Sequence, residues 1–266
     1  MPILTDHLAR SIDVPAAPQR IVSLCPSLTE TLYALGLGTR VVGRTRFCLH
    51  PEPAVRQATR VGGTKQINFE RLHALKPDLI IAEKEENTRE MVEALAQDYP
   101  VYVIDVQTVE QAIAMIADLG RLTGTQAAAQ RLQQAIRQGW DQLPRWPRAP
   151  RVAYFIWQAP LMVVGRDTYI QSVLARLGMA NVFLDREARY PQITAADLQA
   201  AQPDYVLLSS EPFPFADQHV AAFQALLPQA QVNLVDGEMF SWYGARMQQA
   251  AAWLQGWLTQ QVAQQA

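Results

Sequence analysis

Cysteine is scarce: Cys25 and Cys48 are the only two in 266 residues, too few for a disulfide framework. They fit a reducing compartment slightly better than an oxidising one. Long apolar runs are missing as well, since nothing approaches the roughly 18–20 residues that a membrane helix requires. Neither sign of charge is in excess, because 23 Lys and Arg face 25 Asp and Glu, for a net charge of −2. A broadly basic surface for nucleic acid or an anionic membrane is thereby excluded, although a local basic pocket is not. The opening segment Met1–His7 has neither a basic stretch nor an apolar core, so no export signal is read there and a cytoplasmic location is expected if Met1 is the native start. Gly-x-Ser-x-Gly, Walker A and Gly-x-Gly-x-x-Gly patterns are absent too, and no general base is evident beside a nucleophile.

What is present reads as a globular α/β chain, 49% hydrophobic and 18% charged. Buried strands are expected at Arg20–Cys25, Val41–Val42, Asp78–Ala82 and Val101–Ile104, and again at Val152–Trp157, Tyr205–Ser209 and Val232–Val235. Helices are expected between them, including Thr168–Leu177, Thr194–Ala201, Asp217–Leu227 and Gly244–Gln261. Ser27 and Glu30 have the spacing of a capping box for the first helix. From Thr108 to about Leu143 the apolar spacing is helical with an interruption at Thr123-Gly124, and the proline-rich stretch Pro144–Pro150 ends it. The expected organisation is an N-terminal lobe over 1–107, a long linking helix over 108–143 and a C-terminal lobe over 144–266. Each lobe would hold a mostly parallel sheet flanked by helices, and the stiff link would limit hinge motion. One internal echo supports related lobes: Leu72–Ile80 (LHALKPDLI) is answered by Leu198–Val206 (LQAAQPDYV).

Ligands in such folds bind at the carboxyl ends of the strands. Those positions hold Phe47, Thr64, Lys65 and Glu83 in the first half, and Trp157, Arg166, Glu211, Phe213, Phe215, Phe240, Trp242, Tyr243 and Arg246 in the second. The aromatics stand in loops bearing Pro and Gly, which suits a rigid wall stacking on a flat or bulky ligand, although each could equally be core. Lys65, Arg166 and Arg246 would meet ligand carboxylates or phosphate. Glu83, Glu211 and Glu238 follow strands directly and could face a cation, a metal or those basic residues, whereas Glu85 and Glu86 read as solvated. Cys25, Cys48 and His50 offer soft-to-borderline donors, and Cys25 precedes a helix whose dipole would favour a thiolate. They are the basis of a rival reading, a cytoplasmic metal-handling protein or enzyme.

The segment Arg20–Glu93, with RIVSLCPSLTETLYALGLGTRVVG and INFERLHALKPDLIIA, is similar to the first lobe of periplasmic cobalamin- and iron-siderophore-binding proteins. These are the helical-backbone (type III) substrate-binding proteins of ABC importers. The likeness continues more loosely through Tyr169–Phe183 and the Pro203-Asp204 strand. It implies a two-lobed, non-catalytic receptor with a shallow cleft, a periplasmic location and a permease partner. Glu70 matches the glutamate with which such receptors dock their transporter, and the second-lobe counterpart falls at Ala196 with Asp197 beside it. The turn where cobalamin binders place an aromatic reads Gly62-Gly63-Thr64-Lys65, while the second-lobe aromatic loop persists as Met239–Tyr243. The function expected is binding of a corrinoid or other metal chelate by a monomer with no intrinsic cofactor. An iron-siderophore or haem receptor is the alternative.

Overall fold

The computed structural model describes residues 3–146 and 148–263. Met1 and Pro2 of the opening segment, and Pro147 of the boundary stretch, lie outside the described residues. The chain forms two compact units. The first takes the chain up to Val106, Gln111–Gln138 and Tyr243–Arg246; the second takes Gln107–Glu110, Gly139–Trp242 and the chain from Met247 onward.

The first unit opens with an antiparallel hairpin, β1 (Ile3–Thr5) and β2 (Ser11–Asp13), which the sequence reading does not anticipate. Five parallel strands follow: β3 (Ile21–Ser23), β4 (Val41–Thr45), β5 (Thr59–Gly62), β6 (Leu79–Glu83) and β7 (Val101–Ile104). Their order is β5-β4-β3-β6-β7. Every residue of β3, β6 and β7 is buried, which is why these strands read as apolar runs without alternation. Three helices connect them, α1 (Pro26–Ala34), α2 (Phe69–Ala74) and α3 (Arg89–Leu95). Asn68 and Thr88 cap α2 and α3 by accepting from the backbone N–H groups of Arg71 and Met91.

One expectation fails here, and another holds only in part. The N-cap of α1 is Cys25, with Pro26 in the first turn, so Ser27 lies inside the helix and the Ser27–Glu30 capping box does not form. Proline at the first helical position already removes one orphan N–H and fixes φ. The linking segment is interrupted where expected, at Thr123-Gly124, but by a reversal that makes it two helices, α4 (Val109–Thr123) and α5 (Gln126–Asp141). Gly124 at φ +74 turns the chain back, the Gln133 side chain donates to the Ile113 carbonyl, and Gly120 sits so close to Ala129 that a Cβ would be 2.6 Å from it. The pair is therefore an antiparallel helical hairpin, most of it within the first unit.

In the second unit β8 (Arg151–Trp157), β9 (Met162–Val163), β10 (Ala180–Asn181), β11 (Tyr205–Ser209) and β12 (Gln231–Val235) form one sheet. Its parallel path is β10-β8-β11-β12, with β9 antiparallel to β8. The helices are α6 (Tyr169–Arg176), α7 (Ala195–Ala201), α8 (Asp217–Leu226), α9 (Gly237–Ser241) and α10 (Met247–Ala263). Phe155, Val206, Leu208, Phe215 and Phe223 are central to its core.

The echo of the sequence is an echo of structure. Lys76 and Gln202 both stand at positive φ where α2 and α7 end. The following aspartates then cap the start of a neighbouring strand: Asp78 accepts from the N–H groups of Gln19 and Arg20 at 2.7 and 2.9 Å, and Asp204 from that of Arg151 at 2.7 Å. Arg20 and Arg151 each return a guanidinium to carbonyls of the last helical turn or its cap, Leu75 in one case and Ala201 and Gln202 in the other.

Candidate functional site

The winding of the first sheet reverses between β3 and β6, and a ligand crevice in such a sheet lies outside the carboxyl ends of those strands. Here the protein's own polar groups knit that place together. Asn87 donates from Nδ2 to the carbonyls of Leu24 (3.1 Å) and Thr64 (2.9 Å), and its Oδ1 accepts from the N–H of Glu83. Glu83 is buried at 3% exposure, and its Oε2 accepts from the N–H groups of Glu85 (2.6 Å) and Glu86 (2.8 Å). Burial outweighs those two bonds and pushes its carboxyl up to about 7. Tyr243 is buried in the same unit, and burial together with the charge of Glu83 pushes its phenol far up.

Cys25 and Cys48 are also buried here. Burial, then the charges of Glu86 and Glu83, drives the Cys25 thiol well up, so the helix dipole expected to lower it is overridden. The Cys48 thiol lies 3.1 Å from the hydroxyls of Thr29 and Thr45 and is likewise raised by burial. A nucleophilic cysteine requires a thiolate, the opposite of this environment. His50 follows in the partly buried loop after β4, and among the described residues no group of three or more His, Cys, Asp or Glu side chains is placed to hold a metal ion. The expectation that the helix dipole favours a Cys25 thiolate is corrected accordingly.

Around this interior the first unit's edge is exposed. Phe47 is 46% exposed, with the Arg46 guanidinium 4.7 Å over its ring. Lys65 is exposed and donates to the Glu85 carbonyl, while Thr64 is buried. Glu70 is exposed in the first turn of α2. Arg246, expected to meet a ligand anion, is instead buried at 5% exposure and paired with Glu30 at 3.0 Å.

In the second unit the corresponding reversal lies between β8 and β11. Trp157, at the end of β8, is 39% exposed and meets Phe213 edge-on at 5.7 Å. Phe213 in turn packs against Phe215 and His219. Glu211, just after β11, accepts at one carboxylate oxygen from Trp242 Nε1 (2.7 Å) and Ser241 Oγ (2.8 Å), and burial raises its pKa. Trp242 is half-buried, and Arg166 is exposed with its Nε donating to the Glu187 carbonyl.

Two expected ligand residues leave this surface, and Asp197, expected at the docking surface, is held by its own helix. Phe240 is fully buried on α9, packed on Tyr154, Trp253 and Trp257, so the segment read as a loop is helical and this ring is core. Phe215 belongs to the core cluster. Asp197 is engaged in the capping box of α7 with Thr194 and pairs with Arg186 at 2.7 Å, which holds its carboxyl down at about 2. Arg46 and Asn87 also stand just after strands, as cleft candidates do, and the structure adds their contacts. The adjacency Arg46-Phe47 was a legible signal for the first; the second needed the fold, because its partners lie 23 and 63 residues away.

Residues 21–228 match the periplasmic binding protein family. The chain is 28% identical over 242 residues to the vitamin B12-binding protein of Pectobacterium carotovorum, covering 89% of this chain and 87% of that one. Its fold is similar to the periplasmic vitamin B12-binding protein BtuF of Vibrio cholerae, with a TM-score of 0.75, 25% identity and coverage of 92% and 98%. It is also similar in fold to the periplasmic heme-binding protein BhuT in complex with two hemes, with a TM-score of 0.79, 24% identity and coverage of 92% and 99%. A match over this much of the sequence, on two α/β units of the expected kind, shows that the chain belongs to the periplasmic binding protein family.

Proposed function

We propose that this protein is the solute-binding component of an ABC importer and takes a corrinoid or a similar metal chelate. The observation that carries the reading is the half-exposed Trp157 set edge-on to Phe213 at the reversal point of the second sheet. A macrocyclic chelate offers a broad apolar face for such rings, and its polar rim can meet Arg166 of the same unit. The named relatives that bind vitamin B12 support the corrinoid, and the family supports a place of action in the periplasm. The reading makes Glu70 a docking residue for the permease, with Asp197 beside the second-lobe position.

The test is titration of the purified protein with cobalamin, cobinamide, haem and a ferric siderophore, followed by calorimetry and the ligand's visible spectrum. Saturable binding of a corrinoid is expected, and Trp157→Ala should weaken it at least tenfold, about 1.4 kcal/mol, with the melting temperature little changed. Saturation by haem or siderophore alone would replace the corrinoid, and no saturable binding of any of the four would overturn the reading.

A further inference from the structure

Beside the 3-10 turn at Ala54–Gln57 and the start of β5, the first unit holds a cavity of about 630 Å³ whose wall includes Arg44, Arg56, Arg60 and Arg71. Glu52 is the one carboxylate among its lining residues. Four guanidinium groups against one carboxylate leave an excess of three positive charges, in a chain whose net charge is −2.

Arg44 is the unusual member. It is only 2% exposed, yet among the described residues no acidic side chain pairs with it. Its guanidinium is instead held by carbonyl oxygens, with Nε donating to Val55 (2.7 Å) and Nη1 to Cys48 (2.9 Å) and Thr45 (3.2 Å). Those bonds fix the plane of the fork. A buried charge satisfied only by dipoles is costly unless a counter-charge is brought to it. Burial, and then the charge of Arg60, hold Arg44 below the usual arginine range, so the cluster repels itself. Glu52 neutralises only Arg56, at 2.7 Å, whereas Arg60 and Arg71 are exposed and make no ion pair among the described residues.

We infer that this cavity binds a small multivalent oxyanion, a polyphosphate or a polycarboxylate, through Arg44, Arg60 and Arg71. Guanidinium forks match phosphate and carboxylate oxygens bidentately, and one anion could neutralise all three at once. The volume lies within the range of small-molecule sites, about 300–1,000 Å³. The inference does not depend on the chelate reading, because none of these residues belongs to the aromatic surface of the second unit.

The experiment is calorimetric titration of the full chain with pyrophosphate and, separately, citrate, which distinguishes the two sources of the anion. One saturable site is expected for at least one of them. Arg60→Gln with Arg71→Gln, at exposed positions whose loss should leave folding intact, is expected to weaken binding about tenfold, roughly 1.4 kcal/mol. Glu52→Gln, which removes the opposing carboxylate, should tighten it. No saturable heat with either anion, or unchanged affinity in the double variant, overturns the inference.

Discussion

Glu83 shows how a single residue answers to opposing forces. Two backbone N–H groups favour its carboxylate, but burial is the larger effect and carries the folded-state value to about 7, against 4.5 for the free group. The unfolded chain therefore releases this proton at lower pH than the folded one does. Stability from this group is fully present below about pH 4.5, declines as pH rises toward about 7 and is flat above that. Glu83→Gln should remove the decline, leaving the variant more stable than the parent at pH 8 by about 1–3 kcal/mol and level with it near pH 4.5. Melting curves across that range check the sign, and parallel curves for the two proteins would contradict it.

Phe240 and Trp157 give the residue scale its second contrast. Both are aromatic, Phe240 following β12 and Trp157 ending β8 of the same sheet, yet one is 0% and the other 39% exposed. Truncating Phe240 to alanine should cost about 3–5 kcal/mol of stability, as for other buried aromatics, and equilibrium denaturation measures it.

At the scale of elements, the repeated Pro-Asp turn ties a helix end to a strand start twice over. Asp78 accepts two backbone N–H groups and Asp204 one. Asp78→Ala should therefore destabilise more than Asp204→Ala, by about 1 kcal/mol, the worth of one further hydrogen bond. Equal losses in denaturant titrations would count against that account. This turn was readable in the sequence because its signal is local: proline, aspartate and an apolar run in fixed order. The buried strands were readable for the same reason. Other features had no such signal. The Ser27–Glu30 spacing imitates a capping box, but Pro26 starts the helix earlier and Glu30 turns to Arg246, 216 residues on. Phe240 looked like a loop aromatic because Gly237 begins its five-residue helix, too short to show a period. The arginine cavity was hidden outright, since Arg44, Arg56, Arg60 and Arg71 share no spacing and meet only through the sheet edge and the turn beside it.

At the scale of the whole molecule, ligand binding and folding are linked. A ligand that binds only the folded state adds about 2.7 kcal/mol at a hundredfold excess over its Kd. For a chain of 266 residues that should appear as a rise of several degrees in melting temperature. A corrinoid should produce it in the parent protein, and in Trp157→Ala only at proportionately higher concentration. A corrinoid that binds by calorimetry without moving the melt would contradict the linkage.

The four residues Tyr243–Arg246 belong to the first unit although the chain reaches them last. There the Ala245 N–H donates to the Thr31 hydroxyl at 3.0 Å, and Gly244, at φ +78, lies where a Cβ would be 2.1 Å from that same oxygen. Arg246 supplies the charge that faces Glu30. During synthesis the ribosome therefore delivers α1 long before its partners. The first unit must wait until Arg246 has been made before its interior can close. Domains usually fold as they emerge, amino-terminal first. In this protein the stretch up to Val106 is made early and completed late, and a nascent chain stalled before Tyr243 would expose Glu30 and Thr31 to whatever chaperone attends it.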